Sequence, residues 1–320
     1  MTTANQTGIL ANANVSTTPS GVSMQERQRR WGWVFLSPWL IGFTVFSAIP
    51  IIASLVFTFT EFNLNNPEIK FVGLDNWAKL FNDPLTLTSL GVTLKFALLS
   101  LPVSILLPLG LATLLNSKSL MGKSIWRPLF YMPYIVPAVS SIFVWQSVLN
   151  GETGWINRIL KLLGVVDPPS WLKDANWIFG AFILIGIWGV GNAMLTMLAT
   201  MQGVPTELYE AAEVDGANAW IKWYKITLPM ISPVIFYNMV LSVIGLMQYF
   251  VVPYIITNGT GQPGTSAYFF NMHLYKTAFK FFDMGYGATL AWVIFLIALG
   301  LTLILFTTAN RWVYYSGGDQ

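Results

Sequence analysis

The residues best suited to chemistry lie in one polar segment, Pro205 to Pro229, set between apolar runs. It reads Pro-Thr-Glu-Leu-Tyr-Glu-Ala-Ala-Glu-Val-Asp-Gly over 205–216, then Ala-Asn-Ala-Trp-Ile-Lys-Trp-Tyr-Lys-Ile-Thr-Leu-Pro over 217–229. Pro205 ahead of Thr206 and Glu207 suits a helix start, with acids where the helix dipole favours them. Leu208, Ala211, Ala212 and Val214 give that helix a small apolar face, and Gly216 is placed to stop it. A second short helix, with Trp220, Trp223 and Tyr224 along one side, is expected to end before Pro229. The chemistry on offer is recognition by charge: Glu207, Glu210, Glu213 and Asp215 suit a protein partner bearing basic residues. An amphipathic connector resting on lipid is the competing reading, but clustered carboxylates facing anionic lipid oppose it.

Bond-making chemistry finds little support elsewhere. The chain has no Cys, hence no disulfide framework, thiolate metal site or cysteine nucleophile. The single histidine, His273, is expected in a solvated outer loop, which speaks against a His-based metal or acid–base site. Gly122-Lys123-Ser124 suggests a phosphate-binding loop, but such a loop needs a glycine where Ser117 stands and a strand leading in. Lys123 therefore reads as a charge flanking a membrane helix.

The elements that carry these residues follow from composition. Of 320 residues, 54% are hydrophobic and 10% charged, where a soluble domain carries roughly 25% charged residues. The apolar residues come in runs of the roughly 20 residues that cross a bilayer. Six spans are expected, near Trp33–Thr60, Thr93–Leu115, Leu129–Leu149, Trp177–Met201, Val234–Ile256 and Tyr286–Thr308. The fold class is thus an all-α integral membrane protein. Residues 1–30 read as a disordered cytoplasmic tail, 31–310 as the six-span domain with the polar loop at 203–229, and 311–320 as a short cytoplasmic tail. Arg27, Arg29 and Arg30 directly before the first span orient it, leaving both termini cytoplasmic. A net charge of +3 is too small and too dispersed for nucleic-acid binding. Prolines in or beside the spans (Pro38, Pro50, Pro102, Pro108, Pro133, Pro137, Pro253) break helices in a way that suits a transport pathway rather than a passive anchor. The spans lack acids for proton relay or ion coupling.

The spacing Glu210-Ala211-Ala212, three residues, Gly216, nine residues, Ile226-x-Leu228-Pro229 resembles the EAA loop of ABC importer permeases. Phe35-Leu-Ser-Pro38, Phe71-Val-Gly-Leu-Asp75-Asn-Trp77, Gly154-x-Ile156-Asn157 and Thr257-Asn-Gly259 are similar to the carbohydrate (MalF/UgpA-like) branch of that binding-protein-dependent family. The short first outer loop resembles its compact members. The resemblance implies a type I permease of the cell inner membrane and a loop forming coupling helices that dock on a cytoplasmic ATPase. It implies as partners a second homologous permease, two ATP-binding subunits and an extracytoplasmic solute-binding protein. It implies no cofactor on this chain, with ATP and Mg on the ATPase subunits, and no enzymatic activity of its own. Glu210 would make a charge contact to the ATPase and Gly216 the turn between coupling helices.

Sugars are bound by aromatic faces and by uncharged amides and hydroxyls. The candidates inside spans are Trp145 and Gln146, then Trp188 and Asn192 beside Gly189 and Gly191, then Asn238, Ser242, Gln248 and Tyr249. The resemblance places pathway contacts at Gly189, Val190 and Ala193, and at Ser242, Gly245, Leu246 and Tyr249. Helix–helix hydrogen bonding is the alternative role for the polar residues, and packing for the tryptophans. Two other functions compete: a stand-alone channel or facilitator, and an intramembrane hydrolase with a Ser nucleophile and His273 or Lys95 as base.

Overall fold

The computed structural model describes residues 24–314, which divide into two compact units at Ser54 and Leu55. The first unit is carried by α1 (Met24–Phe57), whose end runs into the second. Residues 24–30, expected in the N-terminal tail, already form its first turns, because Gln, Glu and Arg are strong helix formers contiguous with the apolar run. Residues 1–23 and 315–320 of the expected tails lie outside the described residues. Exposed Trp33, Phe35, Trp39, Phe46 and Ile52 surround α1, the pattern of a helix solvated by lipid. A π-turn at Thr44–Ala48 answers Pro50: an α-helical turn would press the proline ring on the Phe46 carbonyl, and the widened turn relieves it.

The second unit opens with a hairpin, β1 (Thr60–Asn63) antiparallel to β2 (Asn66–Phe71), pairing Thr60 with Phe71 and Glu61 with Lys70. The helices follow as α2 (Asp75–Asn82), α3 (Pro84–Asn116), α4 (Lys123–Ile135), α5 (Ala138–Val148), α6 (Trp155–Leu162), α7 (Ile178–Trp188), α8 (Gly191–Gln202), α9 (Thr206–Val214), α10 (Ala219–Lys222), α11 (Ser232–Ile256), α12 (Phe270–Tyr275) and α13 (Met284–Ala309). Among the described residues, α1, α3, α11 and α13 are each long and apolar enough to cross a membrane. The pairs α4–α5 and α7–α8 are bent by 102° and 52°, and six crossings result when each pair is one span.

The third span, expected at Leu129–Leu149 with prolines that break it, turns at a sharp elbow. Val136 is extended at φ −68°, ψ 132°, since Pro137 disfavours helical geometry in the residue before it. The fourth span breaks at Gly189 and Val190, where two glycines weaken the helix. The second span starts at Pro84 rather than Thr93, because Asp83 caps it: its carboxylate accepts from Leu85 N–H at 2.9 Å, with Pro84 in the first turn. In the connection after α5, Gly154 sits where a Cβ would meet the Val148 carbonyl at 2.5 Å. Asn157, 1% exposed, ties this connection by donating to the carbonyls of Gly151 (2.8 Å) and Pro169 (3.1 Å) and accepting from the Trp171 indole (2.7 Å).

His273 also departs from expectation: it is 4% exposed, not solvated. Its neighbours Phe269, Phe270 and Met272 are fully buried and carry it inward. Its Nε2 lies 3.0 Å from Asp83 Oδ2 and 3.1 Å from Thr86 Oγ1, and the Tyr268 hydroxyl is 3.3 Å from Nδ1. Thr86 and Tyr286 also donate to Asp83, at 3.0 and 3.1 Å. One tautomer satisfies the group, with Nε2–H donating to Asp83 and Nδ1 accepting from Tyr268. Both His273 ring nitrogens are thus engaged by Asp83, Thr86 and Tyr268 rather than aimed at a serine hydroxyl. Burial pushes the imidazole below its ordinary 6.5, against the opposing pull of the Asp83 carboxylate. Burial also raises the Asp83 carboxyl, but its hydrogen bonds from Leu85 and Thr86 and the His273 charge hold it below 3.8. Both shifts mean that the unfolded chain binds more protons. The stability from His273 is present above about pH 6.5 and is lost as pH falls below it; that from Asp83 is lost below 3.8. Melting curves of the detergent-purified protein should therefore shift down between about pH 7 and pH 5, and His273→Gln should flatten that dependence. An unchanged slope in the variant would place the titration elsewhere.

Candidate functional site

Three spans, α3, α7–α8 and α11, enclose a cavity of about 220 Å³. The break between α7 and α8 brings Gly189 and Val190 to its wall, with Ala193 from α8. From α11 come Ser242, Leu246 and Tyr249; from α3 come Phe96, Ser100 and Pro108. Phe96 stacks on Tyr249 with centroids 4.6 Å apart, and Phe182 meets Phe96 edge-on at 6.2 Å. The Ser100 and Tyr249 hydroxyls are buried with no hydrogen-bond partner. Ser104, one turn on, behaves as a helical serine usually does and donates to the Leu101 carbonyl at 2.8 Å. Leaving a buried hydroxyl unpaired costs about 1–3 kcal/mol, so two at one cavity call for a reason. No charged side chain lines the cavity. It is therefore walled by aromatic and hydroxyl-bearing side chains without charge, a lining that suits an uncharged polyhydroxylated ligand.

The other candidate residues divide. Trp145 and Trp188 meet edge-to-face at 5.7 Å and line a separate apolar groove of about 560 Å³ beside the α4–α5 elbow. Asn192, Gly245 and Gln248 are exposed and outside the cavity, so they face away from this chain's own interior. Gln146 borders a small cavity of about 150 Å³ shared with Asn150, Glu152 and Lys173. Asn238 is buried and donates to the Val234 carbonyl at 2.8 Å and Thr196 Oγ1 at 3.3 Å, a helix–helix tie. Phe96 and Ser100 escaped the sequence reading, since nothing in spacing separates Ser100 from Ser104.

At the far end of α3 stands the surface helix pair. Along α9, Glu207, Glu210, Ala211 and Val214 are exposed, as are Asp215 and Gly216 beyond it, and Ala212 is half-buried. Gly216 adopts φ +75°, its N–H bonds the Glu213 carbonyl at 3.0 Å, and Ala217 N–H bonds the Ala212 carbonyl at 2.8 Å. That pairing closes the helix and needs the left-handed residue that glycine supplies. Asn218 then caps α10 by accepting from Ile221 N–H at 2.9 Å. The second arm does not end before Pro229 as expected. A π-turn at Trp223–Thr227 absorbs the proline and the helix continues to Met230, the device seen at Pro50. This arm is anchored: Trp223 Nε1 donates to Thr113 of α3 at 3.1 Å, the Tyr209 and Thr227 hydroxyls lie 2.9 Å apart, and Ile226 and Leu228 pack on the core around Met197. The first arm thus turns its carboxylates to solvent and is held by Tyr209 to the second, which is bolted to the spans.

A broken-helix membrane bundle with a lined cavity and an anchored surface helix pair is the build of a permease. Residues 104–311 match the family described as binding-protein-dependent transport system inner membrane component, and the chain belongs to that family. It is 36% identical to the probable ABC transporter permease protein YesP of Bacillus subtilis (strain 168), over 90% of this chain and 93% of that one. It is 31% identical to the lactose transport system permease protein LacF of Rhizobium radiobacter, over 88% and 94%. Among solved structures it resembles a chain of a bacterial ABC transporter involved in import of the acidic polysaccharide alginate, with TM-score 0.77, 24% identity and coverage of 90% and 98%, which supports the fold. The protein is a permease subunit, with no catalytic function of its own.

Because their hydroxyls are unpaired, Tyr249→Phe and Ser100→Ala should leave the melting temperature unchanged or raise it. Removing a satisfied buried hydroxyl would cost about 1 kcal/mol. A drop of that size in either variant would mean that the hydroxyl is bonded within the fold.

Proposed function

We propose that this chain forms half of the import pathway for an uncharged sugar or sugar oligomer, and that the cavity at Tyr249 is a point of solute contact. The observation that carries this reading is the pair of orphaned hydroxyls, Ser100 and Tyr249, beside stacked aromatic rings and no charge. The Ser242 hydroxyl borders the same space. Sugar hydroxyls would satisfy these groups and ring faces would cover apolar sugar edges. The lactose relative supports the solute class. An acidic polymer such as alginate would find no cation in this cavity. Exposed Asn192, Gly245 and Gln248 would face the second permease and share the pathway with it, as would Trp145 and Trp188 along their groove.

Coupling would run through the loop at 203–229. Glu207, Glu210, Ala211, Ala212, Asp215 and Gly216 would dock on an ATP-binding subunit, which holds ATP and Mg. Ile226, Leu228 and Pro229 would carry its movement into the spans. The arginines before α1 favour cytoplasmic termini, which puts this loop on the ATPase side. An extracytoplasmic binding protein would deliver solute at the opposite end. A stand-alone channel would have no use for an acidic, solvent-facing arm held so rigidly on the spans.

Co-expression with the partner permease and ATPase tests the loop. Glu210→Lys with Gly216→Pro should cut recovery of the ATPase about tenfold or more, since reversing a charge at a docked surface costs roughly 2–5 kcal/mol. The permease pair should stay intact. Full ATPase recovery and turnover would return the chain to the channel reading. In the assembled importer, Tyr249→Phe should raise the apparent KM for sugar uptake without changing ATPase recovery.

A further inference from the structure

A second cavity, about 580 Å³, lies between the end of α3 and the anchored arm of the loop, away from the solute cavity. Lys118 and Lys222 line it, with Trp220 and Trp223, which stack at 5.2 Å. Asn116 and Ser117 add uncharged donors. Trp223 is fixed by its bond to Thr113, whereas Trp220 is 69% exposed. Lys222 pairs with Glu213 at 2.6 Å; Lys118 makes no ion pair among the described residues. Two ammoniums against one carboxylate leave the cavity with an uncompensated positive charge. The Glu213 carboxyl is held below its ordinary value by the Lys222 hydrogen bond and charge, and Lys118 adds to that effect. Aromatic rings that are apolar on the face and polar at the N–H, next to lysines at a helix end, match the boundary between acyl chains and headgroups.

We propose that this cavity binds the phosphate of an anionic phospholipid headgroup, with Lys118 and Lys222 on the phosphate and Trp220 against the glycerol and upper acyl region. The acidic α9 arm, whose Glu207 and Glu210 point to solvent, stays clear for a protein partner. Lipid held here bridges the end of α3 and α10, beside the bond by which Trp223 ties the following turn to α3, and so stiffens the coupling arm on its span. That this end meets the inner leaflet rests on the orientation proposed above. The binding itself does not, because both ends of the chain are accessible in detergent.

Native mass spectrometry of the full-length chain in neutral detergent provides the test, with phosphatidylglycerol, phosphatidylcholine or inorganic phosphate added. Wild type should retain phosphatidylglycerol in preference to phosphatidylcholine. Lys118→Gln should lower that retention about fivefold, the effect of roughly one lysine near an anionic headgroup. Glu213→Gln should raise it, because it frees Lys222 and removes a competing carboxylate; a merely structural role for the Glu213–Lys222 pair would lower it or leave it unchanged. Equal retention of the two lipids, or a Lys118→Gln chain indistinguishable from wild type, overturns the site. Retention of inorganic phosphate without phosphatidylglycerol overturns the lipid as its source. Since no partner subunit is present, failure here leaves the coupling reading untouched.

Discussion

The indole N–H of Trp223 donates to Thr113 at 3.1 Å, and through that bond the surface arms grip one end of α3. At the other end of the same helix, Asp83 and Thr86 gather His273 and Tyr286, and Thr93 accepts from the Phe270 N–H at 2.9 Å. Between the two, Phe96 and Ser100 form part of the solute cavity. Most spans and connections of the second unit pack on α3, so a shift at one end has few ways to be absorbed before it reaches the other. A buried polar group left without its partner is costly, which is why these few side-chain bonds hold the geometry.

The spans owe their irregularity to proline and glycine, yet each break has a local remedy. At Pro50 and Pro229 the helix widens by one residue and runs on: the Ile49 N–H reaches the Thr44 carbonyl, and the Leu228 N–H the Trp223 carbonyl. At Val136 the chain instead turns through 102°, because extended geometry before Pro137 cannot be absorbed by a wider turn. The break at Gly189 and Val190 is gentler and serves the cavity, where it brings backbone and small side chains to the wall. Proline thus has two different consequences among these breaks, set by whether the preceding residues can stay helical.

Legibility followed the range of the determining contacts. The six crossings could be read because hydropathy is a sum over local residues, and Gly216 because a left-handed stop is a property of one residue and its spacing. Pro137 was legible as a break, but not the 102° it imposes, since a hydropathy sum runs across it unchanged. His273 looked like a solvated loop residue because its burial is decided by Phe269 and Phe270 packing against helices far away in sequence. Of the pathway positions implied by family resemblance, Gly189, Val190, Ala193, Ser242, Leu246 and Tyr249 lie at one cavity, whereas Gly245 is exposed. The residues chosen for polarity are dispersed: Asn238 ties two helices, and Asn192 and Gln248 are exposed.

Unspent hydrogen-bonding capacity gives the cavity a direction of action. Ser100 and Tyr249 raise the free energy of any arrangement that buries them unpaired, and a bound polyol removes that penalty only where its hydroxyls reach both. On the proposed reading, the arrangement of α3 against α11 that suits solute would be favoured over others by the solute itself, which is what a ligand must do to shift a conformational equilibrium. Because Trp223 fastens the surface arm to the same helix, a partner that preferred one position of that arm would bias the same equilibrium from the other end. Coupling of this kind would be reciprocal: whatever a docked ATPase contributed to the proposed solute-binding arrangement, bound solute would contribute equally to docking. The uncharged lining of the cavity and the acidic arm outside it are thus two handles on one helix.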